Sequence, residues 1–119
     1  MKRVLVVDDD FGAATGLRRL LELDGYDVVA TESPRTALDM LETERFDAVV
    51  TDLEMPGVHG VEIVRAAQRV RPGMPVLVMT GYYGTPVCDT AMREGARRIF
   101  GKPIEYETLA TELASSLEG

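Results

Sequence analysis

The chain has 119 residues, 45% hydrophobic and 28% charged, with 20 acidic against 13 basic side chains and a net charge of -7. That length suits one domain, 1–119, which buries about two-thirds of its unfolded surface on folding. The acidic balance argues against this domain gripping a nucleic-acid backbone, and no stretch approaches the roughly 18 apolar residues that a membrane span needs. The basic start, Met1-Lys2-Arg3, leads into a short apolar run that Asp8-Asp9-Asp10 cuts off, so it is not a signal peptide. A single cysteine, Cys88, cannot form an internal disulfide. It fits a reducing compartment, and a cytoplasmic location is expected.

In chain order, Val4-Leu5-Val6-Val7 is a continuous apolar run, as a strand buried on both faces should be. The three aspartates follow, then helix-like spacing of Ala14, Leu17, Leu20 and Leu21, with Gly25 as the left-handed residue that closes the helix. Tyr26 to Thr31 is a second, more polar strand whose mixed character suits an edge. Ser33-Pro34 is a capped helix start, with Ala37, Leu38 and Leu41 facing the sheet. Phe46 to Thr51 is the third strand and ends at Asp52; Met55-Pro56-Gly57 is a turn, and a helix after Gly60 turns Val61, Val64 and Ala67 or Val70 inward.

Arg71 to Pro75 is another turn before the fourth buried strand, Val76 to Thr80. Thr85-Pro86 starts the next helix, whose inner stripe is Cys88, Ala91 and Met92 before Gly95 stops it. Cys88 therefore reads as core and not as a reactive thiol. Arg98 to Gly101 is a short fifth strand ahead of Lys102-Pro103, and Ile104 to Leu117 is the last helix, with Leu109, Leu113 and Leu117 aligned. Five strands alternating with five helices over short connections predict an α/β fold, a five-stranded parallel sheet doubly wound in the flavodoxin-like order 2-1-3-4-5.

That order places the first and third strands side by side at the switch point, where ligands of such sheets bind. Asp8 and Asp9 then share a pocket with Asp52, while Thr80 and Lys102 arrive from the fourth and fifth strand ends. Taken singly, the aspartates can be a solvated run, Asp52 a helix cap, Thr80 a turn residue and Lys102 a solvated strand end. Together at successive strand ends they argue for chemistry. Three adjacent carboxylates repel unless a cation sits among them, and oxygen-only ligation without histidine suits Mg²⁺. His59, in the loop after the Pro-Gly turn, reads as solvated. A divalent ion beside Asp52 would bridge it to a phosphoryl oxygen, Lys102 would neutralise a second oxygen and Thr80 would hydrogen-bond a third. Asp52 is then the acceptor, an aspartyl-phosphate nucleophile.

These segments carry a resemblance. VLVVDDD (Val4 to Asp10), DAVVTDLEMPGVHG (Asp47 to Gly60), PVLVMTGY (Pro75 to Tyr82) and GARRIFGKP (Gly95 to Pro103) make the chain similar to the receiver domain of response regulators in two-component phosphorelays. The resemblance implies that Asp8 and Asp9 hold Mg²⁺ together with Asp52 and the backbone carbonyl of Glu54. It also implies that Asp52 is phosphorylated, that Thr80 is the switch threonine, that Lys102 is the family's lysine, and that the Lys102-Pro103 peptide is cis. The implied donor is a histidine kinase or histidine phosphotransfer protein. The implied activity is self-phosphorylation from phosphohistidine and slow autodephosphorylation, without a metabolic substrate.

The implied output is a downstream protein or a domain fused beyond Gly119. It would be reached through the face of the fourth helix, fifth strand and fifth helix, which also offers a dimer contact. Arg93, Arg97, Arg98 and Tyr106 on that face are contacts or merely solubilising. Two positions depart from the family pattern. Ile99 stands where the family carries a switch aromatic, and Phe100 beside it should point to the opposite sheet face. His59 stands where many members carry Asp. Glu54 and Tyr82 border the pocket mouth, and Glu54 either tunes phosphoryl lifetime or partner choice, or is a solvated loop residue.

Three rivals are weaker. A hydrolase on a similar sheet would need Asp where Glu54 stands, and a cap domain. A flavin carrier would place a Ser/Thr/Gly loop where Asp8 to Asp10 stand. A degenerate receiver that only docks partners would not need Asp8, Asp9, Asp52, Thr80 and Lys102 together, although Ile99 keeps that reading open.

Overall fold

The computed structural model describes residues 1–118. Five strands, β1 (Arg3–Val7), β2 (Asp27–Thr31), β3 (Ala48–Asp52), β4 (Val76–Thr80) and β5 (Arg98–Gly101), alternate with α1 (Phe11–Leu23), α2 (Pro34–Thr43), α3 (Gly60–Val70), α4 (Pro86–Glu94) and α5 (Tyr106–Leu117). All pairings are parallel, in the order β2-β1-β3-β4-β5. The more polar second strand does lie at an edge, and β1 and β3 are neighbours with Val7 opposite Thr51.

The strand period of two sorts the core into two layers. Leu5, Val7, Val49, Val76, Val78 and Ile99 face α2, α3 and α4 through Ala37, Leu41, Ile63, Ala67 and Ala91. Val4, Val6, Val50, Leu77, Met79 and Phe100 face α1 and α5 through Leu21, Leu109 and Leu113. Continuous apolar runs in β1, β3 and β4 follow from this, because both faces of each strand are covered. Val70 is only packed against the edge of its layer, whereas Ala67 is fully buried.

Helix ends follow their local chemistry. The Ser33 hydroxyl accepts from the Thr36 N–H at 3.1 Å, with Pro34 in the first turn. Gly25, with φ 96°, follows the C-terminus of α1. Asp10 caps the start of α1, its Oδ1 accepting from the Ala13 N–H at 3.1 Å. Thr85 holds the cap position of α4 without a side-chain cap bond.

Several sequence expectations need correction. Leu20 belongs to the helical spacing expected of α1 and Met92 to the inner stripe expected of α4, yet they are 42% and 45% exposed. Each adjoins a buried neighbour, Leu21 and Ala91, and one residue of helix turns the side chain by about 100°. The third strand starts at Ala48 and not at Phe46. Phe46 is buried under the Arg3 guanidinium, 4.7 Å from its ring centre, and its carbonyl accepts from Arg71 Nη1 at 2.9 Å. The last helix begins at Tyr106, two residues after Ile104, and the Tyr106 hydroxyl donates to Asp24 at 2.6 Å.

Candidate functional site

Strand register delivers the polar side chains to one end of the sheet. Asp8 follows β1, Asp52 and Thr80 end β3 and β4, and Lys102 follows β5. The loop after β3 is held tightly. The Leu53 N–H donates to Asp52 Oδ1 at 3.0 Å, and the Gly60 N–H donates to the Leu53 carbonyl at 2.8 Å. Gly60 is needed there, because a Cβ would lie 2.3 Å from the Asp52 carbonyl oxygen and 2.7 Å from Leu53 Cα.

Asp8, Asp9 and Asp52 each bring a carboxylate oxygen within 4.8 Å of the others. Asp8 and Asp52 are buried while Asp9 is exposed. Asp8 Oδ1 accepts from the Asp10 N–H at 3.0 Å. Lys102 Nζ lies 3.1 Å from Asp52 Oδ1, with its side chain about a third exposed. The Lys102-Pro103 peptide is cis.

The electrostatics are those of a crowded, half-dry acid pocket. Burial pushes the Asp52 pKa up to about 6 against the opposing pull of Lys102, and the charges of Asp8 and Glu54 push it the same way. Burial likewise raises Asp8 above the ordinary carboxylate range, only partly offset by the Asp10 N–H and Lys102. Burial works to lower the Lys102 pKa, but its hydrogen bond to Asp52 and the charges of Asp52, Asp8 and Glu54 outweigh it, and the ammonium is held above its usual value. Oxygen ligands, excess negative charge and raised carboxyl pKa values together describe a place that a hard divalent cation would stabilise.

Two hollows flank the carboxylates. One, of about 380 Å³, runs between α1 and the start of α5 past Asp8, Leu17, Lys102 and Tyr106. The other, of about 610 Å³, lies between Asp9, Glu54, Pro56, His59 and Val87. His59 is exposed at its rim, as expected of a solvated residue.

Glu54 is not a solvated loop residue. Thr80 Oγ1 donates to Glu54 Oε2 at 2.6 Å, and the Gly81 N–H donates to Glu54 Oε1 at 3.2 Å. Thr80 Oγ1 also accepts from the Tyr82 N–H at 3.0 Å. The Thr80 hydroxyl, fully buried, is thus committed to Glu54 and not to Asp52. Sequence reasoning missed this contact; a long acid two residues past Asp52 and a hydroxyl on the adjoining strand end were its only signal.

Ile99 and Phe100 point to opposite faces as expected, Ile99 into the layer of α3 and α4 and Phe100 into that of α1 and α5. On the face of α4, β5 and α5, the four suggested contact residues all have partners within the chain. Arg97 and Arg98 share Glu112 at 3.2 Å each, Arg93 donates to Thr90, and Tyr106 donates to Asp24.

A family model described as "Response regulator receiver domain" matches residues 4–114. The transcriptional regulatory protein GlrR of Escherichia coli is 34% identical over 115 residues, covering 97% of this chain and 26% of that protein. The transcriptional regulatory protein FixJ of Bradyrhizobium diazoefficiens is 32% identical over 114 residues, covering 96% of this chain and 56% of that protein. The chain therefore spans between about a quarter and just over half of these relatives' length. Among solved structures, a CheY-like response regulator receiver domain protein from Methanospirillum hungatei superposes with a TM-score of 0.93 at 29% identity, covering 98% of this chain and 94% of that one. The response regulator TrrA of Thermotoga maritima, solved in complex with Mg(2+)-BeF, gives a TM-score of 0.88 at 26% identity, covering 98% and 100%.

Proposed function

The chain belongs to the response regulator receiver family, and on that premise we propose that it is a phosphorylatable switch whose acceptor is Asp52. The donor is a phosphohistidine on a histidine kinase or histidine phosphotransfer protein. An Asp52 carboxylate oxygen forms the new O–P bond, the N–P bond of the donor breaks, and the imidazole leaves with the electron pair. The observation that carries this reading is the buried Asp52 carboxylate, 3.1 Å from the Lys102 ammonium and within 4.8 Å of Asp8 and Asp9.

With a pKa of about 6, Asp52 is mainly ionised at neutral pH and so available as a nucleophile. Its two protein hydrogen-bond donors, Leu53 N–H and Lys102 Nζ, both meet Oδ1. Lys102 stays charged and offers its ammonium to the negative charge that builds on the transferring oxygens. Asp8, Asp9, Asp52 and the backbone carbonyl of Glu54 would hold Mg²⁺, since the set is all oxygen and its negative charge exceeds what Lys102 neutralises. When bound, the ion neutralises charge on the phosphoryl oxygens.

The Thr80 hydroxyl would report the new charge by turning toward it, which biases the face of α4, β5 and α5 read by a downstream protein or fused output domain. Ile99 gives this relay no aromatic side chain to rotate, so Thr80 and its loop carry the signal. A degenerate receiver that docks without phosphorylation would have no use for the buried Asp8–Asp52–Lys102 arrangement. Both the phosphodonor and the output belong with a cytoplasmic protein; among the described residues no helix is long and apolar enough to cross a membrane.

Incubation with Mg²⁺ and a small acyl-phosphate donor is expected to add one phosphoryl group to the wild type, read by intact mass, and none to Asp52→Asn. Omitting Mg²⁺ should slow the wild type by about a hundredfold or more, the order of one removed electrostatic stabiliser. Equal labelling of both proteins, or none of either while both are folded, overturns the reading.

A further inference from the structure

The Glu54–Thr80 contact has a stoichiometric consequence. A threonine hydroxyl carries one proton. Here the oxygen accepts from the Tyr82 N–H, and its single proton goes to Glu54 at 2.6 Å, which leaves none to donate elsewhere. The second Glu54 oxygen takes the Gly81 N–H at the same strand end. The carboxylate therefore spans two donors with two oxygens, as a phosphoryl group would, and it is tethered only two residues from Asp52. Its charge is also felt at both Asp52 and Lys102.

We propose that the Glu54 carboxylate is an intramolecular competitor for the phosphoryl group: it holds the Thr80 hydroxyl and the Gly81 amide in the unmodified protein and must release them when a phosphoryl group forms on Asp52. Glu54 is then a positioning residue acting through Thr80. It keeps the switch threonine in its unmodified setting, and the phosphorylated state must supply a better acceptor than a charged carboxylate at short range. The proposal rests on Asp52 being the phosphoryl acceptor. It differs from a role in metal binding, because any residue at position 54 keeps the backbone carbonyl that would face the ion.

The test uses beryllofluoride with Mg²⁺ as the phosphoryl analogue, titrated calorimetrically against wild type, Glu54→Ala, Thr80→Val and the double variant. Glu54→Ala is expected to bind beryllofluoride about tenfold more tightly, the scale of one charge-assisted hydrogen bond no longer broken on binding. In the Thr80→Val background the same Glu54 change should gain only about twofold, because the longer Gly81 N–H bond is all that is left to release. In metal-free protein the Gly81 amide NMR resonance should shift on Glu54→Ala. An equal gain with and without the Thr80 hydroxyl would mean simple charge repulsion, and an unchanged affinity or an unmoved Gly81 amide would mean no competition; each overturns the proposal. Folded wild type that takes up no beryllofluoride at all would instead sink the reading of Asp52, and the competition with it.

Discussion

Asp52→Asn is expected to make the metal-free protein more stable at neutral pH. Burial raises the native pKa of Asp52 from 3.8 to about 6, so the native state binds that proton more tightly than the unfolded chain does. Stability from this group is greatest below pH 4, falls as pH rises from about 4 to about 6, and stays low above that. A difference of just over two pKa units corresponds to at most about 3 kcal/mol at pH 7. Asp8, also raised, works in the same direction. Asparagine keeps the shape without the charge. It forfeits the Lys102 contact, but that side chain is about a third exposed and can turn to water. A net gain of about 1–2 kcal/mol is expected, or several degrees in Tm for a domain of this size. Thermal unfolding in a chelator at pH 7.5 should show the gain, and at pH 4 the two proteins should converge. Added Mg²⁺ should raise the wild-type Tm more than that of the variant. A variant less stable than wild type under chelation would contradict the electrostatic picture of the pocket.

Gly60→Ala is expected to lie at the other extreme, with a loss of about 3 kcal/mol. The new methyl would meet backbone atoms, the Asp52 carbonyl oxygen at 2.3 Å and Leu53 Cα at 2.7 Å, and these have no rotamer to escape into. Relief requires α3 to move away from the end of β3, which breaks the Gly60 N–H to Leu53 carbonyl bond and loosens the very turn that aims Asp52. Urea unfolding should show the lowered midpoint, and phosphoryl labelling of the fraction still folded should slow. Gly16→Ala is the matched control: it lies within α1 with no heavy atom near the added carbon, so it should stabilise by about 0.5–1 kcal/mol. Two equal losses would show that the effect at Gly60 is not steric.

The strands were legible because burial on both faces leaves a continuous apolar signature, and β1, β3 and β4 have it. Their adjacency followed from the polar second strand, and with it the meeting of Asp8, Asp9 and Asp52. Helical spacing was a blunter guide. It marks the stripes through Leu21 and Ala91 but not where each stripe ends, so it does not separate Leu20 and Met92, both exposed, from their buried neighbours. The capping role of Asp10 is hidden in an acidic run in which Asp8 and Asp9 read as ligands and Asp10 only as a solvated neighbour. Glu54 was the largest omission. Its bond to Thr80 joins residues 26 apart in the chain and depends on the side-chain conformation that lets the carboxylate span from β3 to β4, which no periodicity encodes.

The chemistry assigned to Asp52 can be read at the level of one residue. After incubation with Mg²⁺ and an acyl-phosphate donor, borodeuteride reduction converts an aspartyl phosphate to deuterium-labelled homoserine. Peptide mass spectrometry then locates it. Deuterium is expected at Asp52 alone, within the peptide that spans β3 and the turn after it. Label at Asp8, Asp9 or Glu54, or no label in protein that has gained a phosphoryl group, would contradict the assignment of Asp52 as the acceptor.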